Sequence, residues 1–283
     1  MTPAVGTDHR TESASWVPRF IALDLDGTIV DRQGHVSRPV IEVLREASAQ
    51  GWVVTLATGR SWARTVKVLD AHPDLSWHWV VCSNGAELRE RGSAEPVMTR
   101  GVGCDASVAA LKDTVSDLIV VAEHVSGTYL TTHVLPAGEF DGPQQQTSWS
   151  ELAVTRCIRW FLTSQTASCE QFESSLGHSD AYDRLVYRLR ERTWADLQAA
   201  NVSKADTLEQ LRRRVGVGID RTLCVGDSWN DIGMLSWAAV GAATEDAPEE
   251  VTSVADLLIP TCTEDGVAQL LRRYLDRAAS LSL

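Results

Sequence analysis

The sequence has little positive charge for its length. Its 283 residues include 26 lysines and arginines against 38 aspartates and glutamates, giving a formal net charge of −12. Proteins that bind a phosphate surface use clustered positive charge to displace its counterions. The charge balance therefore argues against nucleic acid or an anionic membrane surface as the partner of this chain.

Segments that direct a chain into a membrane or across one are also missing. No run of about eighteen apolar residues is present, so no membrane-spanning helix is expected. Residues 1–18 lack the apolar stretch of a signal peptide, and we predict a flexible polar tail there.

No C-x-x-C pair occurs among the six cysteines, which are Cys82, Cys104, Cys157, Cys169, Cys224 and Cys262. Scattered cysteines suit a reducing compartment better than a disulfide or zinc framework. Together with the absence of a signal peptide, this spacing predicts a cytoplasmic protein.

Beyond the tail, the sequence alternates apolar runs with amphipathic segments. We predict strands at 20–25, 52–57 and 79–82, with one helix between Ser37 and Gly51 and another over 61–71. Such alternation is typical of a parallel sheet covered by helices on both faces. The predicted fold class is therefore α/β, with a Rossmann-like doubly wound parallel sheet.

The alternation stops after residue 85 and returns near residue 200. A parallel crossover needs only a dozen or more residues, so a gap of this length must hold a domain of its own. We predict a core made of residues 19–85 and 200–283, and an inserted α+β cap domain over residues 86–199. Several predicted strands of the insert alternate polar and apolar residues, as in an antiparallel sheet with one face in solvent.

Within the insert, the predicted strands are 118–123, 128–132, 156–163 and 183–190, the predicted helices are 106–116 and 167–176, and a loop is predicted at 136–148. In the second part of the core we predict helices at 203–215 and 230–237, a strand at 222–225 and a closing helix around 267–275.

Two carboxylates, Asp24 and Asp26, follow the first predicted strand in the run LDLDGT, residues 23–28. Ligands of an open α/β sheet bind outside the carboxyl ends of its strands, so a site is expected here. Because alternate residues of an extended chain share a face, both carboxylates can point the same way, and the glycine that follows allows a sharp turn. The competing interpretation is that they only cap the strand end.

A second acidic run, VGDSWND at residues 225–231, also follows a predicted strand. Strand ends of a parallel sheet lie along one edge, so Asp227 can approach Asp24. Carboxylates in one crevice repel each other unless a cation lies between them, and all-oxygen ligands favour Mg²⁺. We expect Asp24, the backbone carbonyl of Asp26 and Asp227 to bind the ion, and Asp231 to hold one of its waters. Each aspartate alone could instead be a helix N-cap.

Two further elements suggest a phosphate site. Thr58 and Gly59 end the second strand and precede a helix, an arrangement that can cradle an anion, although Thr-Gly also marks ordinary turns. Lys204 begins a helix, where its charge opposes the helix dipole, so a role bridging a carboxylate and a phosphate would explain it. A surface lysine is the alternative interpretation.

Taken in this order, these segments resemble the haloacid dehalogenase (HAD) superfamily of phosphotransferases, and the insert resembles the type-IIB cap of its Cof-like sugar phosphatases. The resemblance implies a hydrolase in which Asp24 is the nucleophile and Asp26 the general acid/base. It further implies that Thr58, Gly59, Lys204 and Asn230 contact phosphate, and that Mg²⁺ lies among Asp24, Asp26, Asp227 and Asp231. Asn84-Gly85 resembles the Asn-Gly of the cap junction, and residues 264–267 resemble the loop before the last helix.

One segment departs from the pattern of that family. Many members read Met-Gly-Asn-Ala where this chain has Ala243-Thr244-Glu245-Asp246-Ala247, so the role of that asparagine is not carried over.

The expected function is Mg²⁺-dependent hydrolysis of a small phosphorylated metabolite, a sugar phosphate above all, through an aspartyl-phosphate. A phosphomutase of the same superfamily and a non-catalytic regulator that binds a phosphorylated ligand are the alternatives, and a dehalogenase is weaker. Substrate choice is expected to lie in a cap that closes over the crevice. The residues that could recognise the leaving group, judged only by their position in the insert, are His124, His133, Trp149 and Trp160. Packing in a hydrophobic core explains the presence of these side chains better. The oligomeric state is open.

Overall fold

The computed structural model describes residues 15–104, 106–136 and 142–281. These residues form two compact units. The core unit contains residues 15–59, 67–97 and 203–281, and the insert unit contains the described residues of 60–66 and 98–202.

The strands, in chain order, are β1 (Phe20–Leu23), β2 (Val53–Ala57), β3 (Trp79–Cys82), β4 (Glu87–Glu90), β5 (Met98–Thr99), β6 (Ile119–Glu123), β7 (Tyr129–Thr131), β8 (Gln144–Gln146), β9 (Arg159–Ser164), β10 (Tyr182–Leu189), β11 (Arg192–Ala199), β12 (Thr222–Gly226), β13 (Val240–Thr244) and β14 (Leu257–Ile259).

The α-helices are α1 (Arg38–Ala49), α2 (Trp62–Ala71), α3 (Ala106–Thr114), α4 (Trp149–Val154), α5 (Cys169–Leu176), α6 (Lys204–Arg214), α7 (Ile232–Trp237), α8 (Glu249–Thr252) and α9 (Gly266–Leu281). Short 3₁₀ turns lie at Ser83–Gly85, Ile219–Arg221, Trp229–Asp231 and Cys262–Glu264. In the described part of the chain, no helix is both long and apolar enough to cross a membrane.

The sheet of the core unit has the order β14-β13-β12-β1-β2-β3-β4. Its strands run parallel from β14 to β3, as predicted, and β4 pairs antiparallel with β3. Every residue of β1 is buried, because its run Phe-Ile-Ala-Leu lies between two layers of the unit. In this sheet, Leu23 lies opposite both Leu56 of β2 and Val225 of β12, which aligns the three strand ends.

The core unit differs from the prediction at its edges. Strand β4 was not predicted and extends the core sheet beyond the predicted boundary at residue 85. Most of the predicted tail lies outside the described residues, but Trp16 and Val17 are buried. The indole nitrogen of Trp16 donates to the Asp220 carbonyl at 2.7 Å, and its ring meets Tyr274 edge-on. The tail prediction is therefore wrong for these two residues, because their apolar side chains pack on the core unit.

The sheet of the insert unit has the order β10-β11-β9-β6-β7-β8 and is antiparallel except where β7 pairs with β8. An apolar cluster joins this sheet to α3 and α5, and its buried members include Leu111, Trp160 and Phe172. Trp160 is thus a core residue, and its indole nitrogen donates to the Val102 carbonyl at 3.0 Å. His124 contacts Ser126, and the Trp149 ring lies 5.5 Å from the Lys112 ammonium.

Four elements of the insert unit were not predicted from the sequence, namely strands β5, β8 and β11 and helix α4. Strand β8 lies inside the predicted loop 136–148, of which residues 137–141 lie outside the described residues. Its Gln-Gln-Gln run has no hydrophobic pattern, so its pairing with β7 defines it as a strand. Helix α4 begins at the N-cap Ser148, and β11 follows β10 through a two-residue turn.

Candidate active site

The carboxyl ends of the central strands bring the predicted site residues of the core unit together. Asp24 follows β1 directly, and its backbone N–H donates to the Val225 carbonyl of β12 at 2.9 Å. Thr58 follows β2, and its N–H donates to the Val81 carbonyl of β3 at 2.8 Å. The segments that follow β1 and β2 therefore leave the sheet at one edge, which is where open α/β sheets bind their ligands.

Three carboxylates converge at this edge. Asp24, Asp227 and Asp231 each offer one oxygen, and the three oxygens lie within 4.8 Å of one another. Asp24 and Asp231 are buried, whereas Asp227 is partly exposed. An all-carboxylate oxygen set of this size suits a hard divalent cation. The convergence predicted from two sequence segments about two hundred residues apart is thus present.

Lys204 lies between two of these carboxylates. Its Nζ is 2.5 Å from Asp24 Oδ1 and 2.7 Å from Asp231 Oδ1. Ser203 caps the helix that carries it, through a hydrogen bond from the Asp206 N–H to the Ser203 hydroxyl. The side chain of Lys204 is fully buried, so the alternative of a surface lysine is wrong.

Asp231 has both of its oxygens occupied by protein groups. Oδ1 accepts from Lys204, and Oδ2 accepts the backbone N–H groups of Asp227 and Ser228 at 3.1 and 3.0 Å. Asp231 therefore fixes the turn that carries Asp227, and this saturation agrees with an indirect role toward a cation. The helix predicted from residue 230 begins as a 3₁₀ turn over Trp229–Asp231 and becomes α-helical at Ile232.

The electrostatics of the cluster show an excess of negative charge. Burial raises the pKa of Asp24 well above its usual value; Lys204 opposes this shift, and Asp231 and Asp227 add to it. Burial, followed by repulsion from Asp231, raises the pKa of Asp227 to about 6. Burial opposes the charge of Lys204, but Asp24 and Asp231 outweigh it and raise the pKa of Lys204. Three carboxylates outnumber one ammonium, so a further cation would offset the remaining negative charge.

Gly27 permits the close approach of the two acidic segments. Its φ is +84°, and a Cβ atom there would lie 2.1 Å from Asp227 Oδ2. The next residue, Thr28, donates its hydroxyl to Asp227 Oδ1 at 3.2 Å. Glycine at position 27 is therefore required by both the backbone angle and the space that Asp227 occupies.

Asp26 differs from Asp24 in its environment. The Asp26 residue is exposed, whereas Asp24 is buried beside Lys204. The loop that holds Asp26 is closed by the N–H groups of Thr28, Ile29 and Val30, which donate to the Leu25 carbonyl. Two carboxylates in such different surroundings are suited to different chemical roles.

Thr58, Gly59 and Asn230 form the predicted anion side of the site. Thr58 is buried, and a Cβ on Gly59 would lie 3.2 Å from Asn230 Nδ2. The same atom would lie 2.9 Å from Asn84 Oδ1, which accepts a hydrogen bond from Asn230 Nδ2 at 2.9 Å. Asn84 was not among the predicted site residues; its only sequence signal is the Asn-Gly pair after the third strand.

The segment that departs from the family pattern lies at the end of β13. Ala243 and Thr244 are buried, whereas Glu245 and Asp246 are exposed. The charge of Asp246 is one of the smaller causes that raise the pKa of Asp227. The departure therefore adds negative charge on the side of Asp227.

Comparison with known proteins agrees with this geometry. A sequence profile described as haloacid dehalogenase-like hydrolase matches residues 21–271. The chain belongs to the haloacid dehalogenase-like hydrolases. The resemblance to Cof-like members of the HAD superfamily is thereby confirmed, as are the α/β fold class with its core and insert and the enzyme class, a HAD-type phosphatase.

Relatives of this HAD phosphatase match it over most of their length. The 5-amino-6-(5-phospho-D-ribitylamino)uracil phosphatase YcsE of Bacillus subtilis (strain 168) is 23% identical, over 91% of this chain and 96% of its own. A phosphoglycolate phosphatase of Methanothermobacter thermautotrophicus is 24% identical, over 91% of this chain and 99% of its own. The solved HAD subclass IIB sugar phosphatase BT4131 superposes with a TM-score of 0.70 at 21% identity, covering 90% of this chain and 98% of its own.

Proposed function

We propose that this HAD phosphatase hydrolyses a small phosphorylated metabolite, above all a sugar phosphate, with Mg²⁺ and through an aspartyl-phosphate. The observation that carries the proposal is the contact of Lys204 with both Asp24 and Asp231, with Asp227 in the same cluster. A carboxylate fixed by a buried ammonium beside a cation-binding set is what a nucleophile toward a phosphate dianion requires.

The residues present fit a divalent cation. Asp24 and Asp227 would hold Mg²⁺ directly together with the backbone carbonyl of Asp26, and Asp231 would hold it through water. When bound, Mg²⁺ supplies charge neutralisation and orientation of the phosphoryl oxygens.

In the first half-reaction, Asp24 attacks phosphorus. Its Oδ1 is held by Lys204, and its other oxygen forms the bond to phosphorus while the bond from phosphorus to the ester oxygen breaks. Lys204 and the hydroxyl of Thr58 bind the phosphoryl oxygens. Asp26 gives its proton to the leaving alkoxide, a contribution of roughly 10²–10⁴-fold to the rate.

In the second half-reaction, water cleaves the aspartyl-phosphate. Asp26, now ionised, takes a proton from the attacking water, whose oxygen bonds to phosphorus as the bond to Asp24 breaks. Phosphate leaves, and both carboxyl groups return to their starting states. The exposure of Asp26 supports this role, because the residue must meet a leaving group and then a water molecule.

A small metabolite is supported by the relatives, which carry the names of phosphatases for a ribitylamino-uracil phosphate and for phosphoglycolate. The sugar phosphate is the finer proposal, supported by the sequence resemblance to Cof-like phosphatases. We further propose that the insert unit is the cap that selects among leaving groups.

The test is a panel of phosphate esters, including sugar phosphates and phosphoglycolate, scored by kcat/KM with and without Mg²⁺. We expect Asp24→Asn to lower kcat by roughly 10⁴-fold or more, because the nucleophile is removed. Asp70→Asn, an exposed aspartate of α2, is the matched control and should keep full activity. EDTA should stop turnover, and added Mg²⁺ should restore it.

Other outcomes would redirect the proposal. Near-normal turnover by Asp24→Asn would remove Asp24 from the nucleophile role, and turnover unaffected by EDTA would remove the metal. A requirement for a bisphosphorylated activator would indicate a phosphomutase. Binding of esters without turnover would indicate a regulator.

A further inference from the structure

A turn with an unusual backbone follows β3. Ser83, Asn84 and Gly85 have φ angles of 48°, 54° and 107°, so three successive residues lie in the left-handed region. Most residues other than glycine rarely adopt this region, because the Cβ atom is crowded there; asparagine is a common exception, and serine is not. Such a backbone persists only where its surroundings fix it, and it is a reason to look for a function.

Contacts on two sides fix this turn within the core unit. The Asn84 N–H donates to the Thr58 carbonyl at 3.1 Å, which joins the turn to the end of β2. A Cβ on Gly85 would lie 2.1 Å from the Ser203 carbonyl oxygen, and the Gly85 carbonyl accepts from the Thr207 hydroxyl at 2.7 Å. The turn therefore joins the Thr58 segment to the helix start that carries Lys204.

The side chain of Asn84 holds a second amide in place. Asn84 Oδ1 accepts from Asn230 Nδ2 at 2.9 Å, and Asn230 Oδ1 accepts from the Ser228 hydroxyl at 2.6 Å. The Asn230 amide is therefore held at both ends beside Gly59. Its Nδ2 has a second N–H, and no described residue accepts it.

From these contacts we infer that Asn84 is a positioning residue of the phosphate site: it orients Asn230 so that the second amide N–H donates to phosphoryl oxygens bound at Thr58 and Gly59. The inference rests on the proposed function and extends it to a residue outside the acidic cluster. The left-handed angle alone does not account for the contact of Asn84 Oδ1 with Asn230 Nδ2, because glycine satisfies that angle without a side chain.

The experiment distinguishes the effect of the Asn84 side-chain amide from the effect of its backbone angle. Asn84→Gly keeps the left-handed turn and removes the amide. The full chain is loaded with Mg²⁺ and titrated with inorganic phosphate by calorimetry, and KM and kcat are measured for the best ester. We expect phosphate affinity to fall about tenfold and KM to rise by a similar factor, the usual effect of losing one hydrogen bond to a charged group, with kcat changed by less than about threefold.

A double-mutant cycle tests the mechanism. Asn230→Ala should weaken phosphate binding as much as Asn84→Gly does, and combining the two changes should weaken it no further. Asn84→Asp keeps an acceptor for Asn230 but adds negative charge beside Gly59. It should therefore bind phosphate less well than Asn84→Gly does. A purely structural role predicts the reverse order.

Controls keep these results interpretable. Arg190, in the hairpin between β10 and β11, also has a left-handed φ of 56°, and Arg190→Gly should leave phosphate affinity unchanged. All variants are checked by thermal unfolding. Wild-type phosphate affinity in a folded Asn84→Gly, or additive losses in the double variant, would overturn the inference while leaving the proposed function intact. A wild-type chain that hydrolyses no ester would instead overturn the proposed function and, with it, this inference.

Discussion

Both units bury charged side chains, but they arrange them differently. In the insert unit, Arg159 directs Nε and Nη2 to Glu123 Oε2 at 3.2 and 3.1 Å, and its guanidinium lies 4.6 Å from the Phe161 ring centre. In the core unit, Lys204 is shared by Asp24 and Asp231, with the oxygen of Asp227 in the same cluster.

The difference separates a structural ion pair from a site. Arg159 also faces the partly buried Asp196; burial raises the pKa of Asp196 to about 6, and Arg159 opposes that rise. The Tyr187 hydroxyl donates to Asp196 Oδ1 at 3.3 Å, so this group holds two carboxylates around one guanidinium. In the core unit three carboxylates lie around one ammonium, and burial, followed by repulsion from Asp231, raises the pKa of Asp227 to about 6. Neither burial nor an excess of carboxylates therefore marks an active site by itself; the cluster of the core unit differs because it lies at the carboxyl ends of parallel strands.

Removing the shared cation should have the largest effect. Lys204→Met leaves two buried carboxylates without their ammonium, so kcat should fall by roughly 10³-fold or more and the free energy of unfolding by about 3–5 kcal/mol. Phosphate release and urea unfolding measure the two effects.

The counterpart in the insert unit is Arg159→Met, which removes the guanidinium from Glu123 and Asp196. We expect a similar loss of stability, but hydrolysis of acetyl phosphate by the folded protein should stay within about threefold of wild type. Equal loss of turnover in both variants would remove the distinction between pair and site.

A glycine pair gives a smaller and more local test. Gly27 and Gly34 have φ angles of +84° and +87°, but a Cβ would meet Asp227 at position 27 and nothing within 4 Å at position 34. Alanine at either position should cost about 1 kcal/mol of stability through backbone strain. Only Gly27→Ala should also weaken Mg²⁺ binding, by about tenfold or more, because Asp227 is displaced. Calorimetric titration with Mg²⁺ measures this; equal affinities in both variants would separate Asp227 from the cation site.

The smallest expected effect on stability concerns Asp117 of the insert unit, whose carboxylate accepts hydrogen bonds from neutral donors. Partial burial opposes the charge of Asp117, but hydrogen bonds from Ser164, Thr166 and the Gln165 N–H outweigh it and lower its pKa to about 2. Because this pKa lies below the unfolded value of 3.8, the stabilisation is complete above about pH 4 and disappears as the pH falls toward 2.

Asp117→Asn should therefore lower the free energy of unfolding by about 1 kcal/mol at pH 7, and by much less near pH 2. Urea unfolding at several pH values measures the difference, with kcat expected to stay unchanged. A stability loss that is independent of pH would assign the effect to packing instead of charge.

Much of the core could be predicted because its signals are local. The apolar run before Asp24 and the run before Asp227 each predict a buried strand, and the rule that parallel strands end at one edge predicts their convergence. Strand β4 could not be predicted in this way, because its Glu-Leu-Arg-Glu run has no apolar pattern and forms a strand through antiparallel pairing with β3.

Other features depended on distant residues and left no local signal. The Gln-rich β8 is a strand because β7 pairs with it. The role inferred for Asn84 depends on a hydrogen bond from Asn230, which lies 146 positions later in the chain. The sequence around Lys204 is equally compatible with a surface lysine, because its two buried carboxylate partners are distant in the chain.

Patterns along the chain are enough to predict the α/β order of the core, the position of the insert and the residue types that follow the core strands. Hydrophobic periodicity and turn residues are properties of neighbouring positions, so they can be read along the chain. Which carboxylates are buried, which oxygens contact Lys204 and how Asn84 contacts Asn230 follow only from the folded arrangement. Burial, charge balance and hydrogen-bond partners arise between residues that are in places more than 200 positions apart, and only folding sets the distances between them.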